Sequence, residues 1–527
     1  MTLNKGLIGH WDLTADARDS SGRDHHGVAR SVVFGTPGPP QTAGSAQFDG
    51  RESVIEIPHA SGLALADGPF SVAAWVYTDA VVDDVLGDVL SKHAPADARG
   101  LNLSLISHAG MTSSQSNYRN LHFGIDAGDT PVWVDRGRPG NAVLIFALAV
   151  HDGELFAGTF ETGAEETGHV YRYSGGSDWE DCGSPDGSNS VMSLASHGGA
   201  LYAGTGCYDA KGSALEPSPN ETPGGRVYRY LGDRNWQDCG QLGEARTTFA
   251  LTEYRGELHA MPLYLPGIYR YGGRQSWEFC GVPGEQRSMS LGVYNGELLS
   301  AGNGRAGVWA YEGGESWRDC GRQEGVSQTY SFAIYRGELY VGTWPDGKVF
   351  RYDGGTTWHD CGRLGEEREV MELAIYNGKL YGGTLPLGQV YRYDGDEKWT
   401  LTGQLDTTPD VTYRRVWTSA VYDGQLFAGT LPSGRAHSMR AGACATHDHA
   451  FPPGWHHIAA VRNADQLQLY IDGETVADSG NAELDISTEA PLLLGFGQHD
   501  HFLGRMADVR LYRRALTDRE IGRLSAR

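Results

Sequence analysis

A tryptophan returns at nearly even intervals through the middle of this 527-residue chain. Four of the five spacings are 40 or 41 residues, and the first is 57 residues. The repeated positions are Trp179, Trp236, Trp277, Trp317, Trp358 and Trp399. A period of this length indicates one supersecondary unit that is built many times and packs against copies of itself.

A second signature, of the form "YNGKL", marks each unit with a glycine. Seven such glycines occur, against six tryptophans: Gly153, Gly199, Gly256, Gly296, Gly337, Gly378 and Gly424. Trp133 supplies the missing tryptophan, because Gly153 follows it by 20 residues, as Gly378 follows Trp358. The seventh unit is therefore predicted to be split, with its outer strand near Trp133 and its inner strands in 415–439.

Each unit divides into four short strands, here called A to D, as in "VMELAIY", "KLYGGTL", "QVYRYD" and "WTLTG". The turns contain Gly, Asn and Asp, which accept the backbone angles of tight hairpins. Four strands in about 40 residues, repeated around a ring, predict a seven-bladed β-propeller. Pairing of the Trp133 strand with the last unit closes the ring and removes an unpaired edge.

The turn "DGGTTW", from Asp353 to Trp358, resembles the Asp box of Asp-box propellers, and the units as a whole resemble kelch-like propellers. Arg351 stands where the Asp-box motif normally begins with Ser or Thr. Since an Asp box shapes a turn, this resemblance implies a fold and no particular chemistry.

Five units carry a cysteine at one equivalent position: Cys182, Cys239, Cys280, Cys320 and Cys361. Arg136 and Thr402 occupy that position in the other two units. Equivalent atoms of adjacent blades lie farther apart than the roughly 7 Å that a disulfide spans between Cα atoms. We therefore expect small buried residues, not disulfides or a metal cluster.

The two outer segments contain alternating apolar and polar strands, which indicate a two-sheet sandwich. "GLIGHWDL" and "FSVAAWVYTD" resemble the front half of a laminin-G-like, concanavalin A-like jelly roll, and "GWHHIAAVR" and "MADVRLYRRAL" resemble its back half. The predicted fold is all-β: a seven-bladed propeller (129–440) inserted into one discontinuous jelly roll (1–128 and 441–527). We expect the jelly roll to hang from the outer, lower rim of the disc.

The laminin-G-like resemblance also implies a calcium ion at the rim of the jelly roll. The matching acidic positions are Asp19, Asp24 and Asp508, whose hard oxygen ligands suit calcium. The alternative is that Asp19 and Asp24 only shape a turn through side-chain hydrogen bonds. No motif indicates an organic cofactor.

The connections between strands D and A and between strands B and C line one face of a propeller. These loops vary from unit to unit, as a site for an asymmetric polar ligand requires. The candidate binding residues are Arg246, Gln328, Trp344, Asp346, Arg415 and Trp417, and the candidate catalytic residues are Arg287, Tyr330, Glu369 and Glu372. A long B–C connection, 206–225, is predicted to overhang the same face as a lid. The alternative is a solvated rim without a ligand.

These features favour a carbohydrate-binding protein, and cleavage of a polysaccharide is a further hypothesis with two competing chemistries. A uronate lyase needs an arginine to neutralise the carboxylate and a tyrosine base, and it is preferred slightly over a hydrolase with two carboxylates. The alternative is a non-catalytic scaffold or protein-interaction module, because fold alone assigns no chemistry.

The formal charge of −23 disfavours nucleic acid or an anionic membrane as a partner, and leaves a glycan or another polar small ligand. The chain has no apolar run long enough to span a membrane. The first residues, "MTLNKGLIGHWDL", show no signal-peptide pattern. We therefore expect a cytoplasmic location, or secretion if a leader precedes this sequence.

Overall fold

The computed structural model describes residues 3–108, 114–480 and 482–526. Within these residues almost all regular structure is β-strand, and one α-helix, Asp518–Ser525, lies near the C-terminus. Short 3₁₀ turns occur at Ser61–Leu63, Pro95–Asp97, Ala210–Ser213 and Pro283–Glu285. No helix in the described ranges is long and apolar enough to cross a membrane.

The middle of the described chain forms seven antiparallel blades of four strands each, A to D from the inside outward. Blade 1 comprises Leu144–His151, Glu154–Phe160, Val170–Gly175 and Asp178–Asp181; blade 2, Ser190–His197, Ala200–Gly206, Arg226–Tyr230 and Trp236–Gln241; blade 3, Ala250–Tyr254, Glu257–Met261, Tyr269–Gly273 and Ser276–Phe279; blade 4, Ser288–Tyr294, Glu297–Gly302, Val308–Gly313 and Ser316–Asp319. Blade 5 comprises Gln328–Tyr335, Glu338–Trp344, Lys348–Gly354 and Thr357–Arg363; blade 6, Glu369–Tyr376, Lys379–Leu385, Gln389–Gly395 and Lys398–Gln404; blade 7, Arg415–Tyr422, Gln425–Leu431, Ala436–Arg440 and Val132–Asp135.

Blade 7 closes the ring with strands from both ends of the array. Trp133 pairs with Met439 and Val134 with Ser438 in an antiparallel register, as the spacing of the repeats predicts. The innermost strands contact one another in an unbroken circle, including strand Arg415–Tyr422 of blade 7 against Leu144–His151 of blade 1. The arrangement is therefore a closed propeller.

Hydrogen bonds between neighbouring blades explain why tryptophan recurs. The indole nitrogen of Trp277 donates to the backbone oxygen of Cys239 in the preceding blade at 2.9 Å. The ring of Tyr271 packs on Trp277 at 5.1 Å between centroids, and its hydroxyl donates to the oxygen of Arg274 in the C–D turn. The cysteine position thus supplies a backbone carbonyl. The thiol adds only a weak contact, as from Sγ of Cys239 to the backbone oxygen of Gln237 at 3.5 Å, and all five blade cysteines are buried and form no disulfide.

The two ends of the chain build the sandwich together. One sheet consists, in spatial order, of Val33–Thr36, Ser45–Asp49, Leu503–Tyr512, Phe70–Thr78, Gly454–Arg462, Gln466–Ile471 and Glu474–Gly480, and Leu7–Trp11 also pairs with Leu503–Tyr512. The other consists of Val28–Arg30, Val54–Ile57, Leu492–Leu494, Gly87–Ala94, Arg99–His108, Asn117–Ala127 and Ala443–Ala450. Each sheet contains strands from both ends of the sequence, and their apolar faces meet in one buried core.

The sandwich lies across the A–B face of the disc, so the expectation that it hangs from the outer rim is wrong. It contacts every blade near the turn between strands A and B. In blade order the contacts are Val150–Ser116, Leu194–Gln115, Glu253–Tyr118, Gly296–Asp84, Gly337–His499, Asn377–Ile125 and Val421–Asn117. The opposite face, formed by the D–A and B–C connections and called here the open face, is left uncovered by the sandwich.

Candidate functional site

A ring of large side chains fills the centre of the disc. Each blade contributes the residue seven positions before its signature glycine: Phe146, Met192, Phe249, Met289, Tyr330, Met371 and Trp417. All seven are buried, and Phe146 and Trp417 meet at 5.1 Å between ring centroids. Tyr330 and Trp417, predicted to face a ligand, are therefore members of this central plug.

The B–C connection of blade 2, residues 206–225 and called here the insertion, lies over the plug. The ring of Tyr208 packs edge-on against Phe146 at 4.8 Å and against Phe160 at 5.2 Å. Its hydroxyl shares a 2.5 Å hydrogen bond with Ser213 in the short 3₁₀ turn. The insertion thus covers the mouth of the central channel, in agreement with its predicted position on this face.

Two asparagines fix the insertion to the blade. The Asn189 side chain accepts a hydrogen bond from the backbone nitrogen of Tyr208 at 2.8 Å and donates to the backbone oxygens of Tyr208 and Asn220. The Asn220 amide nitrogen donates to the oxygens of Gly187 and Glu166. These bonds hold the insertion in one closed arrangement.

Beneath the insertion lies a buried polar cluster on the inner strands of blades 5 to 7. The Nε of Arg415 lies 2.7 Å from Oε1 of Glu369, and its Nη1 donates to the hydroxyl of Ser213 in the insertion at 3.1 Å. The Tyr330 hydroxyl donates to the side chain of Gln328. The structure therefore brings Glu369, Arg415 and the insertion into direct contact.

Burial dominates the electrostatics of this cluster. It raises the pKa of Glu369 above its usual value, although the charge of Arg415 opposes the shift. Burial also raises the pKa of Glu372 far above its usual range, even though the Ser419 hydroxyl donates to its carboxylate at 2.6 Å. Burial therefore disfavours the charged form of Glu372.

The other predicted residues lie around the rim of the open face. Arg287 is half-buried and lies near Tyr330, whose pKa its charge lowers slightly against the larger effect of burial. The guanidinium of Arg368 stacks on the ring of Trp344 at 4.6 Å. Asp346 is exposed. The candidate catalytic set is thus divided between the rim and the closed centre.

A cleft of about 790 Å³ opens on this face between the insertion, the D–A connection after blade 2 and the B–C connection of blade 3. Of the candidate residues, Arg246 lines it; its guanidinium donates to the backbone oxygen of Glu221 at 2.8 Å. The side chains at the cleft that the sequence reasoning missed are Tyr208, Asp209, Lys211, Glu221, Glu244, Tyr264 and Leu265. The exposed apolar pair in "PLYLPG" is a signal that could have pointed to Tyr264 and Leu265.

Two of the three candidate calcium ligands, Asp19 and Asp508, already have protein partners. Both carboxylate oxygens of Asp19 accept hydrogen bonds from the turn, among them from the backbone nitrogens of Ser21 and His25. Asp508 is paired with His10 at 2.6 Å and with Arg510 at 2.8 Å. The hydrogen bonds to Asp19 agree with its alternative role as a turn-forming residue.

Asp24 is exposed and lies 3.7 Å from His26. In the described part of the chain, no group of three or more His, Cys, Asp or Glu side chains is arranged to hold a metal ion. Calcium binding stays a prediction.

One protein family matches part of the chain. Residues 417–522 match the Laminin_G_3 family, described as the concanavalin A-like lectin/glucanases superfamily. This match spans the inner strands of blade 7 and most of the C-terminal part of the sandwich. No curated protein matches the chain.

Several solved structures are similar to part of the chain. Virginiamycin B lyase from Staphylococcus aureus, solved with quinupristin, is 10% identical and has a TM-score of 0.46, covering 59% of this chain and 99% of that one. YCF48 from Cyanidioschyzon merolae is 11% identical with a TM-score of 0.40, covering 58% and 98%. The WD40 β-propeller domain of Doa1 is 10% identical with a TM-score of 0.39, covering 58% and 96%. These similarities do not bear on function, and a closer relation to kelch-like or Asp-box propellers stays a prediction.

Proposed function

We propose that this protein binds carbohydrate in the cleft between the insertion and blade 3. The observation that carries the proposal is the cleft itself, whose volume of about 790 Å³ lies in the range of ligand sites. It occurs on the face that the sandwich leaves open, so a ligand can reach it. The match of residues 417–522 to the lectin and glucanase superfamily also favours a carbohydrate ligand.

The cleft has the mixed surface that sugar rings require. Tyr264 is 39% exposed and Leu265 is 46% exposed, so an apolar wall is available to the faces of a sugar ring. Arg246, Glu221 and Lys211 place charged donors and acceptors around that wall. An aromatic surface edged by hydrogen-bonding groups suits the apolar faces and hydroxyl edges of a saccharide.

A glycan array followed by calorimetric titration tests the proposal. We expect Tyr264→Ala and Arg246→Ala each to weaken binding by about tenfold or more. Arg274→Ala is the matched control, because Arg274 is exposed in the C–D turn of blade 3, away from the cleft. Unchanged affinity in both cleft variants, or no glycan bound by the wild type, would refute the proposal and favour the non-catalytic scaffold.

Polysaccharide cleavage is the second candidate function, and the contact of Glu369 with Arg415 beside Tyr330 favours it. A lyase is preferred to a hydrolase, because Glu369 is already engaged by Arg415 and an arginine is what stabilises a uronate carboxylate. Access to this cluster requires the insertion to move. Ultraviolet detection of unsaturated uronate products, with Tyr330→Phe as the inactive comparison, tests this candidate.

A further inference from the structure

The charges at the cleft are uneven. The side chains of Glu221 and Glu244 are exposed, and neither forms an ion pair or a hydrogen bond with any described residue. Two cations, Lys211 and Arg246, also line the cleft, and the Arg246 guanidinium donates to the Glu221 backbone oxygen and, at 3.5 Å, to the sulfur of Cys207. With Asp209, three carboxylates therefore line the cleft beside two cations.

The surrounding field has the same sign. The chain carries a formal charge of −23, so an approaching polyanion is repelled before it reaches the cleft. The carboxylate of Asp209, which accepts a hydrogen bond from the backbone nitrogen of Lys211, adds a third negative group at the opening. A carboxylated or sulfated ligand would therefore meet repulsion both at a distance and on contact.

We infer that the cleft takes a glycan without acidic groups and prefers one that carries free amino groups. This inference rests on the proposed function and names the substrate class of that same site. Glu221 and Glu244 can accept hydrogen bonds from ammonium or hydroxyl groups. The bonds from ammonium groups are the stronger ones, because donor and acceptor are both charged. The exposed ring of Tyr264 provides a face on which an ammonium group is also stabilised.

Three oligosaccharides of equal length distinguish the possibilities: chitosan, which bears amino groups, its fully N-acetylated form, which is neutral, and oligogalacturonate, which is acidic. We expect affinity to fall in that order at low salt. The difference in affinity between chitosan and its N-acetylated form should shrink as salt screens the charges. Each carboxylate about 6 Å from the ligand's charge changes affinity by about threefold, and the pair by about tenfold.

Matched variants separate the cleft from the general field of the protein. Glu221→Gln combined with Glu244→Gln should lower chitosan affinity by about tenfold and raise that of oligogalacturonate. Glu216→Gln combined with Glu285→Gln removes the same net charge outside the cleft lining, and should change both affinities by less than about twofold.

The outcomes are separable from those of the proposed function. Preferential binding of oligogalacturonate through Tyr264 would overturn the inference while leaving carbohydrate binding intact, and would favour the lyase candidate. Equal effects of the two double variants would also overturn it, because the preference would then come from net charge alone. Failure of all three oligosaccharides to bind would overturn both proposals.

Discussion

Lys379 of blade 6 and Asp126 of the sandwich form an ion pair that is buried at the junction of the disc and the sandwich. Both side chains are almost fully removed from water, and Asp126 also lies near the amide of Asn377. A charge in such a place depends on its partner, because removal of either one leaves the other buried and uncompensated.

Lys379→Met is therefore expected to lower the free energy of unfolding by about 3–5 kcal/mol. The double variant Lys379→Met with Asp126→Leu should recover most of that loss, since no buried charge remains. Urea unfolding monitored by tryptophan fluorescence measures both. A double variant no more stable than the single one would contradict this account.

Strand Val132–Asp135, which closes the ring, allows a second prediction about stability. Trp133→Ala should destabilise the protein by about 2–4 kcal/mol, because Trp133 is partly buried against blade 6 and blade 7. Val132→Ala is the control on the same strand: Val132 is 75% exposed, so a change within about 0.5 kcal/mol is expected. Equal losses in the two variants would show that ring closure does not depend on this tryptophan.

Thiol labelling tests the role of the cysteines. Cys207 is partly exposed at the cleft, whereas the other six cysteines are buried. A thiol reagent should therefore modify about one thiol in the native protein and all seven after denaturation. Cys207→Ser should abolish the native reaction. Rapid labelling of that variant would contradict the packing of the blade cysteines.

The Glu372 carboxyl predicts a pH dependence. Burial raises its pKa in the folded state far above the value in the unfolded chain, so its contribution to stability is greatest below pH of about 4.5 and is lost as pH rises. Glu372→Gln should remove that loss. As pH rises above about 4.5, the variant should gain stability relative to the wild type by up to about 1.4 kcal/mol per pH unit. Parallel stability curves for the two proteins would rule this out.

The circular order of the blades could be predicted because each unit carries the same local signals. The spacing of 20 residues between Trp133 and Gly153 predicted that Trp133 belongs to the last blade, and in the structure Trp133 pairs with Met439. The turns between strands A and B could also be recognised in the sequence. Because they are nearly identical in all units, their contact with the sandwich could not be predicted from them. Asn377 belongs to one such turn, and its amide donates to Ile125 and Ala441 where the sandwich docks. Docking depends on the shape of two folded surfaces, which no local pattern encodes.

The site was harder to predict because position in the ring decides burial. Tyr330 and Trp417 look like binding residues when their polar and aromatic groups are considered alone. Aligned with Phe146 and Phe249, seven positions before each signature glycine, they belong to a consistently large set that fills the centre. The insertion then covers that centre and creates the cleft at its edge, and its path could not be derived from its composition.

The interrupted arrangement of the sandwich determines how the protein would respond to tension. The strands nearest the two termini, Leu7–Trp11 and Leu503–Tyr512, are hydrogen-bonded to each other. A pull on the two chain ends is borne first by that pair of strands. The disc carries load only after the strands of the sandwich have separated, so the sandwich protects the cleft on the open face from a pull on the chain.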